Sequence, residues 1–357
     1  MPLEVVIAGG GTGGHVIPGL AIARELREHH NANCRFIGTA RGMETRLVPQ
    51  AGFELELVRV GQLKSVSIMT RMKTLADLPR SVLHCINFLR RIRPDVLVTV
   101  GGYASGPGAL AAILLRIPVV AFEPNYVAGF ANKRIAPFVA AAGVQFEATA
   151  KIFRNGEVTG VPIRREFFGL RPIEISEPPA LLVFGGSQGA HAINMAVVSA
   201  LPELERSLPS LRIVHQTGPK DLTAVSEAYA QSSLKSEVLA FIDDMPSRMA
   251  AAQVVLCRSG ASTVAEVSAA GRAAVFVPLP TASDDHQKKN ALAMVNANAA
   301  VLLPQAELSP GSLSETLQKL FTEREQTRAI GERARTFSHP RAAARIAELV
   351  VNAASQR

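Results

Sequence analysis

Three segments of this 357-residue chain repeat the order apolar strand, glycine-rich turn, helix. They start at Val5, Asp95 and Ala180 and read VVIAGGGTGGHVIPGLAIARELREH, DVLVTVGGYASGPGALAAILL and ALLVFGGSQGAHAINMAV. Strand-like and helical stretches alternate through the rest of the chain. Such alternation is typical of parallel sheets covered by helices on both faces. The sequence therefore predicts an α/β fold with ligands bound beyond the carboxyl ends of the strands.

The third repeat predicts that the pattern restarts in a second domain. It follows RREFFGLRPIEISEPPA, a proline-containing candidate linker, and the length of the chain allows two domains. We expect two doubly wound, Rossmann-like domains facing a cleft, over residues 1–163 and 164–340. A last helix, from about Arg341 to Ala354 in the segment 341–357, is expected to pack back on the first domain.

Composition restricts the environment and the partners of the chain. The three cysteines, Cys34, Cys85 and Cys257, lie far apart, which favours a reducing compartment over a disulfide framework or a cysteine zinc site. We expect neither a signal peptide nor a bilayer-spanning segment. The formal net charge of +8 predicts a polyanionic partner surface. With no tryptophan and 3 tyrosines, anionic lipid is favoured over nucleic acid.

The first glycine turn raises the question of a dinucleotide site. Gly9, Gly11 and Gly14 fit the pattern G-x-G-x-x-G, which usually needs an acidic residue at the end of the second strand. Here GTARGMET follows the predicted strand from Cys34 to Ile37, with no acid at its first positions. NAD is therefore disfavoured. The free N–H groups at a helix start still predict an anionic ligand.

Eight motifs then identify a resemblance. In order they are GGGTGGHVIPGLAIA, GGYASGPGALAA, FEPNYVAGFANK, GVPIR, GGSQGA, FIDDM, CRSGASTVAEVSAAGRAAVFVPLP and DDHQKKNA. The set resembles the MurG family of peptidoglycan glycosyltransferases, from residue 3 to about residue 295. The resemblance implies a two-domain GT-B-type fold and inversion at the anomeric carbon. It implies transfer of N-acetylglucosamine from UDP-N-acetylglucosamine to the 4-hydroxyl of N-acetylmuramic acid in lipid I, which forms lipid II.

The resemblance also implies a location in the cell, and three alternative functions stay open. Its members are peripheral proteins of the cytoplasmic face of the bacterial inner membrane, with possible partners among cell-wall and division proteins. The alternative is another GT-B nucleotide-sugar transferase acting on a different lipid acceptor. An NAD oxidoreductase and a non-catalytic membrane scaffold are the rivals from other classes.

Donor-site roles follow from the resemblance. Glu266 would accept from the ribose hydroxyls, the Ile242 backbone would read uracil, Ser187 would donate to a phosphate, and Gln287 would contact the sugar. Several residues of this region have a plainer structural alternative. Ser259, Ser262 and Thr263 can cap a helix, Arg164 can be a surface arginine, and Gln287 with Asn290 can form a solvated helix start. The implied donor set is Thr12, Gly13, Gly14, Asn125, Arg164, Ser187, Ile242, Ala261, Ser262, Thr263, Val264, Ala265, Glu266, Gln287 and Asn290.

Catalysis is expected to need no cofactor. The sequence has no Asp-x-Asp motif and no convincing metal-ligand spacing, so helix N-termini would stabilise the leaving diphosphate, although a divalent cation could stimulate. His15 is the candidate base; alternatively it holds the loop or orients a phosphate of the acceptor. Glu123 is a rival base or a structural partner. The resemblance places Tyr103 and Ser105 on the acceptor side.

Two motifs depart from the family pattern. In FEPN, Phe122 and Pro124 replace the histidine and glutamine of the common HEQN. In GVPIR, Val161 replaces an asparagine. The first departure puts in doubt any general role for the missing histidine.

The segment from Leu63 to Pro94 predicts a membrane face. Apolar residues recur at helical spacing and basic residues flank them, which suits anionic lipid. A second apolar face, formed by Val82, Ile86 and Leu89, is expected after Pro79. The alternative for both faces is ordinary core. The predicted membrane contacts are Ile68, Met69, Met72 and Leu75, with the cations Arg71 and Lys73.

Overall fold

The structure is a computed structural model that describes residues 2–40, 42–59, 68–102, 104–174 and 178–356, with the side chains of 68–76 excepted. The chain divides into two compact units. One comprises Met1–Ile163 with Arg341–Arg357, and the other comprises Arg164–Pro340. Each unit is built on one parallel sheet, as the alternation of strands and helices predicted.

Seven strands of the described chain form the sheet of the first unit, in the order β3-β2-β1-β4-β5-β6-β7. Every adjacent pair is parallel. Because β1 pairs with both β2 and β4, the strand order reverses there, and ligands of such sheets bind at this switch point. The strands are β1 Leu3–Gly9, β2 Ala32–Gly38, β3 Glu54–Leu57, β4 Val96–Gly101, β5 Val119–Glu123, β6 Ala141–Val144 and β7 Gly156–Val158.

Helices connect these strands. Helix α3 continues through Pro79 as one helix, so the two predicted apolar faces belong to the same element. Val82 and Leu89 are buried in the core of the unit, with Ile86 packed against it, so their face is core and not a membrane face. The helices are α1 Gly13–His29, α2 Glu44–Gln50, α3 Ile68–Ile92, α4 Ser105–Leu114, α5 Phe130–Ile135 and α6 Glu147–Ala150.

Six described strands form the second sheet, in the order β10-β9-β8-β11-β12-β13, with every pair parallel. Strand β8 lies between β9 and β11, so the switch point recurs at the third glycine turn. The strands are β8 Ala180–Phe184, β9 Arg212–Gln216, β10 Lys235–Leu239, β11 Val254–Cys257, β12 Ala273–Phe276 and β13 Val301–Leu302. The helices are α7 His191–Ser207, α8 Leu222–Ala230, α9 Met245–Ala251, α10 Ala261–Ala270, α11 His286–Asn296, α12 Pro310–Thr322 and α13 Arg324–Ala334.

The proline-containing segment that precedes β8 packs on the second unit instead of serving as a bare linker. Phe167 is fully buried, and Ile173 belongs to the core of this unit. The guanidinium of the buried Arg272 donates to the carbonyl of Arg171 at 2.8 Å and to that of Met249 at 2.8 Å. These contacts hold the start of the second unit against its own sheet.

The last helix, α14 (Ala342–Ala354), packs on α1 and β6 of the first unit. Ile346 and Val350 are fully buried on this face. Arg345 pairs with Glu157 of β7 and with Glu348 one turn along. The helix therefore stabilises the first unit mainly by burial, because its ion pairs are exposed and surface pairs contribute little.

Truncating Ile346 to alanine should destabilise the first unit. The change leaves a cavity between α14, α1 and β6, which typically costs about 2–5 kcal/mol. Asn352→Ala, an exposed change in the same helix, is the control. Hydrogen exchange, measured as the temperature is raised, should be faster in β1 and β6 for Ile346→Ala but not for Asn352→Ala. Equal protection in the two variants would contradict the packing role.

Candidate active site

The first glycine loop joins β1 to α1 at the switch point. Gly11 has a φ of +94°, a conformation that glycine adopts without strain. Thr12 precedes the helix with an extended backbone, and its side chain makes no capping hydrogen bond. The N–H groups at the start of α1, where Gly13 and Gly14 lie, therefore present the positive end of the helix to the carboxyl edge of the sheet.

His15 is held in a defined tautomer. Its Nδ1 lies 2.9 Å from the carbonyl oxygen of Val100 at the end of β4. A carbonyl only accepts, so Nδ1 donates, and the neutral ring then carries its lone pair on Nε2. A Cβ at Gly101 would lie 2.9 Å from the ring, so glycine is needed for this close contact. His15 thus bonds to β4 through Nδ1, which leaves Nε2 as the basic nitrogen of the neutral ring.

Glu123 acts as a structural acceptor. Its Oε1 accepts from the backbone N–H of Asn125 at 3.1 Å and from the Asn125 amide at 3.2 Å. Its Oε2 accepts from the Gly129 N–H at 2.8 Å and from the Asn132 amide at 3.1 Å. The carboxylate is buried, and these four bonds fix the loop after β5. The geometry favours the structural alternative over the rival base, and it gives the Asn125 amide a partner inside the protein.

The second glycine loop contains the two predicted acceptor-side residues. Ser105 is fully buried, and its hydroxyl donates to the carbonyl of Gly102 at 2.7 Å. It therefore closes the loop, so Ser105 would serve the acceptor side through the backbone of this loop and not through its hydroxyl. Tyr103 lies outside the described residues.

Glu44 is a site residue that the sequence analysis missed. It is fully buried, and its carboxylate accepts from the N–H of Gly11 at 2.8 Å. It also accepts from the N–H and the hydroxyl of Thr39, at 2.8 and 2.9 Å. The signal was present, because an acid does follow β2, six residues after its end at Gly38.

In the second unit, the third glycine loop packs directly on the loop after β9. A Cβ at Gly189 would lie 1.8 Å from the carbonyl oxygen of Thr217, and one at Gly218 would lie 2.2 Å from that of Gln188. Ser187 is exposed at the tip of this loop, just before α7. Its position next to a helix start suits the predicted contact with a phosphate.

A buried polar network lies below this loop. The Asn194 amide donates to the Thr217 carbonyl at 2.8 Å and to Asp221 at 2.7 Å, and its oxygen bonds to His215 at 3.0 Å. Burial lowers the pKa of His215 to about 4, so the ring is neutral at pH 7. The network holds the two loops together.

Gln216 joins the third glycine loop to Ile242 and was also missed. Its amide donates to the carbonyl of Gly186 at 2.9 Å, while its Oε1 accepts from the N–H of Ile242 at 2.8 Å. The backbone N–H of Ile242, predicted to read uracil, therefore already has a partner within the protein. Any base that used this N–H would have to replace the Gln216 oxygen.

Arg164 lies over this region. Its guanidinium donates to the carbonyl of Asp243 at 3.2 Å and stacks 5.2 Å from the ring centre of Phe167. Asp244 instead caps α9 by accepting from Ser247. The two neighbouring aspartates thus differ in role: Asp243 accepts through its backbone carbonyl, and Asp244 caps a helix through its side chain.

The start of α10 is open. The residue before it is Gly260, and no described side chain caps the helix. The Ser259 hydroxyl donates instead to the carbonyl of Gln287 at 2.9 Å, so the predicted capping is wrong. The N–H groups of the first turn, which contains Ala261, Ser262 and Thr263, therefore point out of an uncapped helix end. Val264 and Ala265 are buried, so only their backbones could contact a donor.

Glu266 follows one turn into the same helix and is half-buried. Burial raises the pKa of its carboxyl from the usual 4.5 to about 7, and the positive charge of Arg164 offsets part of that rise. The carboxyl can accept hydrogen bonds from hydroxyl groups, and the guanidinium and the open helix start can bind an anionic group. Together they suit a ligand that carries both hydroxyls and negative charge.

The last predicted pair does not behave alike. Gln287 is half-buried, and its Oε1 accepts from the N–H of Leu279 at 3.0 Å. Asn290 is fully buried and donates to the carbonyl of Ser259 at 3.2 Å, so it holds α11 to the start of α10 instead of offering its side chain to solvent.

Asp284 and Asp285, just before α11, have φ values of 55° and 54°, a left-handed conformation that is uncommon in residues with side chains.

In the part of the chain that the structure describes, no three His, Cys, Asp or Glu side chains are placed to hold a metal ion. In the same part, no helix is both long and apolar enough to cross a bilayer.

Comparison with known proteins matches two domain models of one family to the chain. The glycosyltransferase family 28 N-terminal domain matches residues 5–144, and the C-terminal domain of the same family matches residues 180–346.

Similar proteins span nearly the whole chain. The UDP-N-acetylglucosamine–N-acetylmuramyl-(pentapeptide) pyrophosphoryl-undecaprenol N-acetylglucosamine transferase of Anaeromyxobacter sp. (strain Fw109-5) is 42% identical over 99% of this chain and 94% of its own. The protein of the same name from Solibacter usitatus is 43% identical over 97% of this chain and 94% of its own. The crystal structure of Acinetobacter baumannii MurG superposes with a TM-score of 0.82 and 32% identity, covering 98% of this chain and 100% of that one.

The raised pKa of Glu266 predicts a pH-dependent stability. A carboxyl with a pKa of about 7 in the folded state and 4.5 when unfolded holds its proton more tightly when folded. Its contribution to stability is therefore fully present below pH 4.5 and is lost as the pH rises through 7, by roughly 1.4 kcal/mol for each pKa unit.

Urea unfolding at pH 5 and pH 8 tests this effect. Glu266→Gln should gain stability relative to the wild type at pH 8 but not at pH 5. The exposed Glu227→Gln in the same unit is the matched control. An identical pH dependence for the wild type and Glu266→Gln would show that Glu266 does not titrate in this range.

Proposed function

This chain belongs to glycosyltransferase family 28, and from that premise we propose that it transfers N-acetylglucosamine from UDP-N-acetylglucosamine to undecaprenyl-pyrophosphoryl-N-acetylmuramyl-pentapeptide, forming lipid II. The observation that carries the proposal is the match, along nearly the whole chain, to relatives whose names state this reaction. The chemistry of the two sites supports it.

The second unit supplies the groups that a UDP-sugar needs. The open start of α10 would take the diphosphate, because its N–H groups and the helix dipole favour negative charge. Glu266 would accept hydrogen bonds from the ribose hydroxyls, and Arg164 would interact with the base or the phosphates. Ser187 would donate to a phosphate, and Gln287 would bond to the sugar through its amide.

The first unit supplies the base. The reaction needs a proton acceptor for the attacking hydroxyl, and the Nε2 of His15 has the lone pair for it when Nδ1 donates to Val100. The hydroxyl would attack the anomeric carbon as UDP leaves, so the configuration inverts. We propose that helix N-termini stabilise the leaving diphosphate, so that no divalent ion is required.

A transfer assay with EDTA present tests the function and the base together. Labelled N-acetylglucosamine should pass from UDP-N-acetylglucosamine to a lipid I analogue. His15→Ala should lower kcat by about 10²–10⁴-fold, the usual contribution of a general base, with unchanged affinity for UDP. His29→Ala, an exposed change at the end of α1, should retain full activity.

Three results would overturn parts of this proposal. Absence of transfer by the wild type would reject the reaction. A loss below tenfold in His15→Ala would reject the base. Complete loss of activity in EDTA, with stoichiometric metal in the active protein, would reject metal-free catalysis.

We also propose peripheral binding of the first unit to anionic lipid at the cytoplasmic face. Large apolar side chains are exposed on α4 and on the helix it packs against, with Leu114 at 61%, Leu110 at 41% and Leu83 of α3 at 59%. Phe138 is exposed at 65%, and Phe130 at 50% with the Arg134 guanidinium 5.2 Å from its ring centre. Apolar groups beside cations suit the headgroup region. The predicted side chains of Ile68, Met69, Arg71, Met72, Lys73 and Leu75 lie outside those described.

Vesicle co-sedimentation tests the membrane proposal. Leu110→Ser combined with Leu114→Ser should reduce binding to vesicles of anionic phospholipid about tenfold or more, because each exposed leucine contributes apolar burial of about 1.5–3 kcal/mol. At low salt, Arg71→Glu combined with Lys73→Glu should reduce vesicle binding further, by about 1 kcal/mol for each positive charge removed.

Leu279→Ser, an exposed leucine of the second unit, is the control and should bind as the wild type does. Transfer to a short, soluble acceptor should survive in every variant. Equal vesicle binding by the leucine pair and the control would refute the surface on α4.

A further inference from the structure

The carboxylate of Glu44 lies inside the first glycine loop and has no part in the mechanism above. In dinucleotide-binding proteins the acid that follows the second strand turns outward to a ribose. Here it turns inward. Its three hydrogen bonds, to the Gly11 N–H and to both donors of Thr39, tie β1, β2 and the loop together.

The surrounding glycines make room for this carboxylate. A Cβ at Gly42 would lie 1.9 Å from Glu44 Oε2, and one at Gly10 would lie 2.2 Å from Oε1. A Cβ at Gly38 would lie 2.6 Å from its Cγ. These three positions need glycine because a side chain of the protein itself fills the space. At Gly11, by contrast, a Cβ would meet no atom within 4 Å, so glycine is needed there for its backbone angle alone.

Glu44 remains ionised although it is fully buried. Burial by itself would raise the pKa of the carboxyl, but the hydrogen bonds from Thr39 and Gly11 hold it below the usual value. An ionised acceptor makes stronger bonds to backbone N–H groups than a neutral one does. The negatively charged side chain of Glu44 thus occupies the N–H of Gly11, one of the N–H groups that the loop could otherwise offer to an anion.

The loop that Glu44 holds leads directly to His15. The carbonyl of Gly11 accepts from the N–H of Met43, next to Glu44, and the carbonyl of Thr12 accepts from the N–H of His15. The carbonyl of Gly10 lies so close to Gly102 that a Cβ there would be 2.2 Å away. The position of His15 over Gly101 therefore depends on the path of this loop.

We propose that Glu44 is a positioning residue, an internal anion that fixes the first glycine loop and so places His15 and the start of α1 for the acceptor. The role in turnover rests on the proposed function. The role in loop order does not. A phosphate of the acceptor is then confined to the N–H groups beyond Gly11.

Glu44→Gln is the informative variant. Glutamine has the same shape, but only one end of its amide is an oxygen, and the NH₂ group cannot accept a hydrogen bond. Either the Gly11 N–H or the two donors of Thr39 would therefore lose their acceptor. We expect kcat/KM for the lipid I analogue to fall about tenfold or more, the usual cost of a lost hydrogen bond to a charged group. The affinity for UDP should stay within about twofold, because the uridine and diphosphate contacts proposed above, at Arg164, Ser187 and Glu266, lie in the second unit. Hydrogen exchange of a peptide covering Gly9–Leu20 should accelerate, with α10 unchanged.

Two further variants complete the test. Glu28→Gln, an exposed residue of α1, should match the wild type in all three measurements. Gly11→Ala, which fits sterically but strains the loop, should impair the same acceptor step and spare UDP binding. If Glu44→Gln fails to fold, Gly11→Ala still reports on the loop.

The outcomes separate the two proposals. Normal loop exchange and normal acceptor kinetics in folded Glu44→Gln would overturn the inference. Loss of UDP binding in parallel with acceptor turnover would also overturn it, since that result means a general folding defect. If the wild type transfers no sugar, the proposed function fails, while the exchange comparison still decides whether Glu44 holds the loop.

Discussion

Contact between the backbones of neighbouring loops is the constraint on which both candidate sites depend. At the switch point of the first sheet the carbonyl of Gly10 meets Gly102, and at that of the second sheet the carbonyl of Thr217 meets Gly189. A side chain at either glycine would force the loops apart. Gly102 and Gly189 also have positive φ values, so they are required for both space and backbone angle. The glycine turns thus pack loop against loop as much as they present N–H groups to a ligand.

The two units satisfy the buried polar groups below these loops with different chemistry. The first uses carboxylates, Glu44 and Glu123, which only accept and therefore collect N–H groups. The second uses amides, Gln216 and Asn194, which donate to a carbonyl and accept at the same time. The first loop therefore has a negative charge beneath it. Beneath the second loop the amides themselves are neutral, and the carboxylate of Asp221 accepts from Asn194 at 2.7 Å.

Residues implied by a family resemblance fall into two physical classes. Some, such as Ser187 and Glu266, stand where a ligand could reach them. Others, such as Ser105 and Asn290, are fully buried and hold the loops that carry the first class. We expect substitution of either class to lower activity, so loss of activity alone does not distinguish them. Burial and hydrogen-bond partners do.

The sequence by itself determined the class of fold, the parallel sheets and the glycine turns, because hydrophobic periodicity and glycine act locally. It also determined the family, through ordered motifs spread along the chain. It could not assign the roles of Glu44, Glu123 and Gln216, because their partners come from other elements. Nor could it separate core from surface along α3, where Leu89 is buried and Leu83 exposed on one helix. Only the tertiary structure decided these points, since burial and hydrogen bonding are set by which elements the fold brings together.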